Sequence, residues 1–284
     1  MKNQGLFLVI EGTDGSGKGT QFELLKDRLE EQGYEVETFD FPQYGQESSH
    51  FVKEYLNGRY GSAEDVGPYT GSLFYALDRY EAAPKIRKAL NEGKIVLANR
   101  FTGSNMAHQG TKFSNVEQRR GYFIWLDQLE FEMLKIPRPD ISLVLRVPAE
   151  IAQKLVDKKD KRSYTDKKRD IHEADLGHLK KSVEVYYNLC QLFPKDFRQL
   201  DCVRSGKILD KKTINNLIWE TVKPILPSKS SGRGKSVTKS TSDVPDQNPY
   251  VAKDENNLFA ITEEGRAYLK EAVTDVDGNI YGFS

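Results

Sequence analysis

Cysteine is scarce in this chain of 284 residues, which holds two, Cys190 and Cys202. Neither sits in a C-x-x-C or other metal-ligand spacing. A disulfide framework is therefore excluded, the pair is expected to pack in the interior, and a reducing cytosol suits the composition. Net charge is missing too: 42 basic residues meet 42 acidic ones for a formal charge of zero. No global field advertises nucleic acid or membrane as a partner. Long apolar runs are also absent, none approaching the ~18 residues that span a bilayer, and the N-terminus carries no signal-peptide pattern. These absences predict a soluble, cytoplasmic protein. The length admits one large α/β domain with an appendage, or two modest domains.

What is present is concentrated near the start. Leu6 to Ile10 is a short apolar run of the kind that forms a buried parallel strand. It breaks into Glu11-Gly12-Thr13-Asp14-Gly15-Ser16-Gly17-Lys18-Gly19-Thr20 and then enters an amphipathic helix through Phe22, Leu25 and Leu29, closed by Gly33. This is the relaxed form of G-x-x-x-x-G-K-[ST], with Gly19 between the lysine and Thr20. Glycines turn successive amides inward around phosphate oxygens, and the helix N-terminus adds favourable partial charge. Lys18 is expected to reach the β- and γ-phosphates, and a hydroxyl, Thr20 or Ser16, to approach Mg²⁺. The loop predicts nucleotide binding, with ATP and Mg²⁺ as the implied cofactors.

Strands and helices then alternate. Glu35 to Phe41 reads as a second strand running into Phe41-Pro42-Gln43-Tyr44-Gly45, either a ligand-binding edge or a satellite packing cluster. A helix is expected over 51–61 up to a turn at Gly58 to Gly61. The next, longer helix sets Tyr75 and Arg79 four residues apart on one face. That pair suits a planar base, or simply a core aromatic beside a surface arginine. Ile95 to Ala98 is a third strand ending in Asn99-Arg100-Phe101. An arginine leaving a buried strand favours an anion, since its fork matches two phosphate oxygens. A helix over 115–135, a fourth strand over 140–147, helices over 149–158 and around Leu179 to Leu189, a fifth strand over 197–203 and a last helix over 211–225 complete a parallel sheet covered on both faces. Between them, Lys158 to Arg169 is a basic cluster that reads as a phosphate-closing lid. From Ser228 the composition turns serine-rich, predicting a flexible linker over 228–249 and an extension of unassigned role over 250–284, after a first domain of 1–227.

Taken together these motifs resemble thymidylate kinase, over about residues 5 to 226. The resemblance implies a P-loop kinase fold with a five-stranded parallel sheet flanked by helices. It implies transfer of the γ-phosphoryl of ATP to dTMP, and a homodimer. It places Gly12, Thr13, Asp14, Gly15, Ser16, Gly17, Lys18, Gly19 and Thr20 around ATP, with Asp14 also at the sugar 3′-hydroxyl of dTMP. Phe41 and Pro42 border the acceptor, Tyr75 stacks on thymine and Arg79 reaches its carbonyl. Arg100 binds the acceptor phosphate, Asn105 and Gln109 fall where the base is contacted, and Ser104 is among the substrate-binding residues. Arg162 and Arg169 in the lid neutralise the moving charge, and Thr20 and Asn99 stand at the metal. The chain departs from the family pattern at Asn99 (usually aspartate), His108 (usually tyrosine) and Gln43 (frequently arginine). Two rivals remain at this level: a kinase of another nucleotide, separable by competing substrates, and a silent nucleotide-binding module, which would bind ATP without turnover.

Overall fold

The computed structural model describes residues 5–156, 176–227, 251–253 and 259–261. The lid with Arg162 and Arg169, and the expected linker, lie outside the described residues.

The first strand, β1 (Leu6–Glu11), is buried along its whole length, and its alternate residues feed two different cores. Leu6, Leu8 and Ile10 face Leu25 and Leu29 of α1 (Lys18–Glu31). Phe7 and Val9 face the other way, toward Ala82, Ala83 and Ile86 of a long helix described below. A period-two strand with both faces apolar fits a parallel sheet covered on both sides. Cutting Leu25 to alanine there would cost ~2–5 kcal/mol, the usual toll of a buried leucine.

After α1 come β2 (Val36–Asp40) and α2 (His50–Leu56). The long helix α3 (Ala63–Asn91) starts at a capping box in which Ser62 and Asp65 satisfy each other's backbone. It is interrupted at Gly67, whose φ of 72° is not helical. Then follow β3 (Ile95–Asn99), α4 (Thr102–Gly110) and α5 (Val116–Asp127). The helix expected over 115–135 is thus shorter, because the backbone widens into a π-helical segment over Gln128–Met133. Next are β4 (Ile141–Arg146), α6 (Ala149–Val156), α7 (Leu176–Leu192) and β5 (Phe197–Asp201). A short hairpin of β6 (Val203–Arg204) and β7 (Lys207–Ile208) separates β5 from α8 (Lys211–Val222). The fifth strand therefore ends two residues before the expected boundary.

The five long strands form one parallel sheet in the order β2-β3-β1-β4-β5. From β1 the chain crosses to one side and later returns to the other, so a crevice opens at the carboxyl end of β1, where open sheets bind ligands. Both cysteines are buried, and burial pushes each thiol up to about 12. The chain divides into two units, residues 1–230 and 231–284. In the second, β8 (Val251–Lys253) pairs antiparallel with β9 (Phe259–Ile261).

Candidate active site

A cleft of about 400 Å³ opens over the carboxyl ends of β1, β2 and β3. Its floor is the loop between β1 and α1. Gly17 caps α1 with φ 89° and no side-chain cap, so the first-turn amides of a 14-residue helix remain for an anion. Gly15 (φ 78°) tolerates no side chain, since a Cβ there would lie 2.1 Å from the carbonyl oxygen of Ala152 in α6. Lys18 is buried, and its Nζ donates to the Thr13 carbonyl at 2.8 Å and pairs with Asp14 at 3.9 Å.

Arg100 meets the same aspartate from β3. It adopts the left-handed φ of 65°, costly for a residue with a side chain, at the point where β3 turns into α4. Its Nη2 donates to Asp14 and its Nη1 to Ser104 Oγ at 3.2 Å. Burial works against its charge, but Asp14 first, then Tyr186, Glu11 and Tyr44, outweigh that and hold the guanidinium above its ordinary pKa. The strained turn is pinned by Glu11, fully buried at the end of β1. Its carboxylate accepts from the amides of Phe101 (2.9 Å) and Ser104 (3.0 Å), and from the hydroxyls of Ser104 (2.6 Å) and Tyr186 (2.9 Å). Glu11 thereby caps α4 from ninety residues away, where Phe101 offers no side-chain cap.

Phe41, Pro42, Leu56 and Tyr75 form the apolar end of the cleft, with Asn105 and His108 above. Asp78 holds that end open: it accepts from the Gln43 amide at 2.8 Å and from Ser48 Oγ at 2.5 Å, fixing the loop after β2. Arg79 lines the cleft, yet its Nε and Nη2 donate to buried Glu130 at 2.6 and 2.5 Å. It is not the surface arginine of the second alternative drawn from spacing: it is buried, and a buried guanidinium needs a carboxylate partner. His108 Nε2 lies 3.4 Å from Arg100 Nη1, and its Nδ1 lies 3.4 Å from His178 Nε2.

Most of the expected site residues converge here: Asp14, Gly15, Gly17, Lys18, Gly19, Phe41, Pro42, Tyr75, Arg79, Asn99, Arg100, Ser104 and Asn105 all line this one cleft. Gly12, Thr13 and Ser16 are buried in the loop behind it. Two residues are placed differently. Gln109 is wholly buried against Gly71 and is not among the residues that line the cleft. Thr20 is exposed on α1 and is not among the residues that line the cleft. Asn99 does line it, but its Nδ2 donates to Asp40 at 2.9 Å. Glu11, Asp40, Asp78 and Glu130 were not singled out from the sequence. Each is an acid at a strand end or in an apolar helix stretch, the signal that should have drawn notice.

The thymidylate kinase family profile matches residues 10–210. The chain belongs to the thymidylate kinase family. A thymidylate kinase of Mycobacterium tuberculosis is 30% identical over 188 residues, covering 65% of this chain and 85% of that one. One from Bacillus licheniformis is 30% identical over 224 residues, 77% of this chain and 97% of the relative. Among solved structures, the thymidylate kinase of Candida albicans overlays with a TM-score of 0.59 at 20% identity, covering 78% of this chain and 92% of that one, a likeness of fold. Membership makes the chain a nucleoside monophosphate kinase, a transferase that phosphorylates dTMP to dTDP. Among the described residues no helix is long and apolar enough to cross a membrane.

Proposed function

We propose that the γ-phosphoryl group of ATP passes to dTMP within this cleft, with ATP on the loop side and dTMP on the aromatic side. The observation that carries the reading is the chain Lys18–Asp14–Arg100, which links the phosphate loop to the acceptor end through one carboxylate. Lys18 and the first-turn amides of α1 hold the β- and γ-phosphates. Arg100 orients the acceptor phosphate, and Asp14 takes the sugar hydroxyl. Tyr75 stacks on thymine against Phe41 and Pro42, Asn105 and Ser104 close the base side, and Nη1 of Arg79 is the donor assigned to a base carbonyl. Positioning and charge stabilisation account for most of such a transfer. Arg162 and Arg169 are assigned to the charge of the moving group by resemblance alone.

The residues fit a magnesium ion carried on the nucleotide. Asp14 and Asp40 bring carboxylates to the cleft, and the buried Ser16 Oγ and Asn99 Oδ1 have no hydrogen-bond partner among the described residues. Among the described residues no three His, Cys, Asp or Glu groups are placed to hold a metal alone, as befits a cation whose other ligands are phosphates and water. Bound there, Mg²⁺ offsets the phosphate charge.

The dimer has its own support. Tyr69, Leu73, Leu77 and Tyr80 are exposed at helical spacing on α3, a stripe suited to a second copy. Leu73→Glu/Leu77→Glu should turn a dimer into a monomer by sedimentation, and an unchanged mass would reject that face. A cytoplasmic setting and a kinase unit of residues 1–227 complete the reading. The central test is ADP release with ATP, Mg²⁺ and one acceptor at a time. Turnover with dTMP well above dUMP, CMP or thymidine is expected, and ATP binding without turnover would refute the reading.

A further inference from the structure

In the phosphate-loop motif the residue directly after the lysine supplies a hydroxyl to Mg²⁺. Here that residue is Gly19, which lines the cleft but has no side chain, and the hydroxyl one position later, on Thr20, lies outside the cleft wall. The sheet brings a different group to the place. Asp40 ends β2 and stands in register with Asn99 of β3, which stands in register with Ile10 of β1, one residue before Glu11 and two before the loop. Asp40 therefore reaches the cleft beside Gly17, Lys18 and Gly19. Asn99 Nδ2 donates to its Oδ1 at 2.9 Å, which orients the carboxylate and leaves Oδ2 for another partner. The other end of that amide, Asn99 Oδ1, is buried without a partner among the described residues and can accept from a metal-bound water.

We propose that Asp40, steered by Asn99, supplies the carboxylate that holds the nucleotide's divalent cation and its waters, in place of the hydroxyl that Gly19 lacks. The proposal rests on the reading of the cleft as an ATP·Mg²⁺ site. Its logic is that of a hard cation, which takes oxygen ligands, keeps most of its water, and needs only one or two protein carboxylates besides phosphate. Asp40 retains access to solvent in the cleft, so its replacement should leave the fold unaffected.

The test is Mn²⁺ binding to the full chain with saturating ADP, followed by electron paramagnetic resonance, in wild type, Asp40→Asn and Asp40→Asn/Gly19→Ser. Asp40→Asn should weaken Mn²⁺ binding about 10-fold or more, as loss of a group supporting a metal does. Its affinity for ADP without metal, and its unfolding temperature, should stay at wild-type values. Gly19→Ser should recover part of the loss, because a Cβ added at Gly19 meets no atom of the described residues within 4 Å. Mn²⁺ binding by Asp40→Asn within twofold of wild type overturns the assignment of Asp40 while leaving the ATP·Mg²⁺ reading intact. An equal loss of metal-free ADP affinity also overturns it, since Asp40 would then act as the counter-ion of Lys18. If wild type with ADP binds no more Mn²⁺ than ADP alone, the metal reading itself fails and the proposal falls with it.

Discussion

Glu130→Gln is the most informative single change in this cleft. Glu130 is fully buried and takes both forks of Arg79 at 2.6 and 2.5 Å, together with Thr102 Oγ1 at 2.8 Å. It thus ties α3 and α4 to the π-helical segment after α5. The glutamine keeps the shape but removes the charge, leaving a guanidinium of near-zero exposure without its counter-ion. Breaking one side of a buried pair costs ~3–5 kcal/mol, and the remaining amide oxygen puts this variant at the low end, ~3 kcal/mol. A domain of this size loses ~2–4 °C per kcal/mol, so Tm should fall by ~6–12 °C. Scanning calorimetry measures it. A second arm separates stability from binding. Arg79→Met/Glu130→Leu removes both charges, and buried pairs so replaced are often neutral or better, apart from ~1 kcal/mol for the orphaned Thr102 hydroxyl. The double variant should therefore melt above Glu130→Gln, yet show a raised KM for dTMP because Arg79 is gone. A Glu130→Gln protein melting within 2 °C of wild type, or a double variant less stable than the single one, would refute the argument.

Three other outcomes follow from the same geometry. Lys18→Ala should lose ~10²-fold or more in kcat/KM, the scale of removing one preorganised donor, at little cost in Tm; near-normal turnover would reject the phosphate loop. Tyr75→Ala should raise KM for dTMP and leave KM for ATP unchanged, at the ~1–3 kcal/mol of a lost base stack; equal effects on both would assign Tyr75 to packing alone. Lys112 is expected to make stability depend on pH: its Nζ donates to Tyr55 at 3.1 Å and to the Gly67 carbonyl at 3.2 Å, and burial lowers its pKa from 10.5 to about 8. Between those values the unfolded chain holds a proton that the folded one has released, so stability gained relative to Lys112→Met should rise from pH 8 to 10.5; a flat difference would place that amine in open water.

The inner strands β1, β3 and β4 were legible because they are short apolar runs in an alternating chain, whereas the edge strands β2 and β5 mix polar and apolar residues. The loop was legible because its glycines, its lysine and the following helix are contiguous. Legibility fails where the partner is remote. Tyr75 and Arg79 share a helix face and both line the cleft, but spacing gives no sign of Glu130, 51 residues from Arg79, which holds its Nε and Nη2. Gln109, one turn beyond Asn105 on α4, is likewise buried against a remote neighbour, Gly71. Glu11 was visible only as the last residue of a strand, though it fixes the turn that aims Arg100.

Asn99 carries the argument furthest. By the resemblance read from the sequence it stands where an aspartate is usual, an amide in place of a negative charge at the mouth of the phosphate loop. Across the sheet the same position has a neighbour that no one-dimensional pattern contains: register sets Asp40 beside it, and the amide donates to that carboxylate at 2.9 Å. The cleft therefore keeps an acid at its β2–β3 edge, moved over by one strand, with the substituted residue now oriented to hold it. A substitution that looks like a loss in one strand is balanced through the 4.7–4.9 Å typical of neighbouring strands. On the proposal above, the amide of Asn99 and the carboxylate of Asp40 act as one feature at that edge.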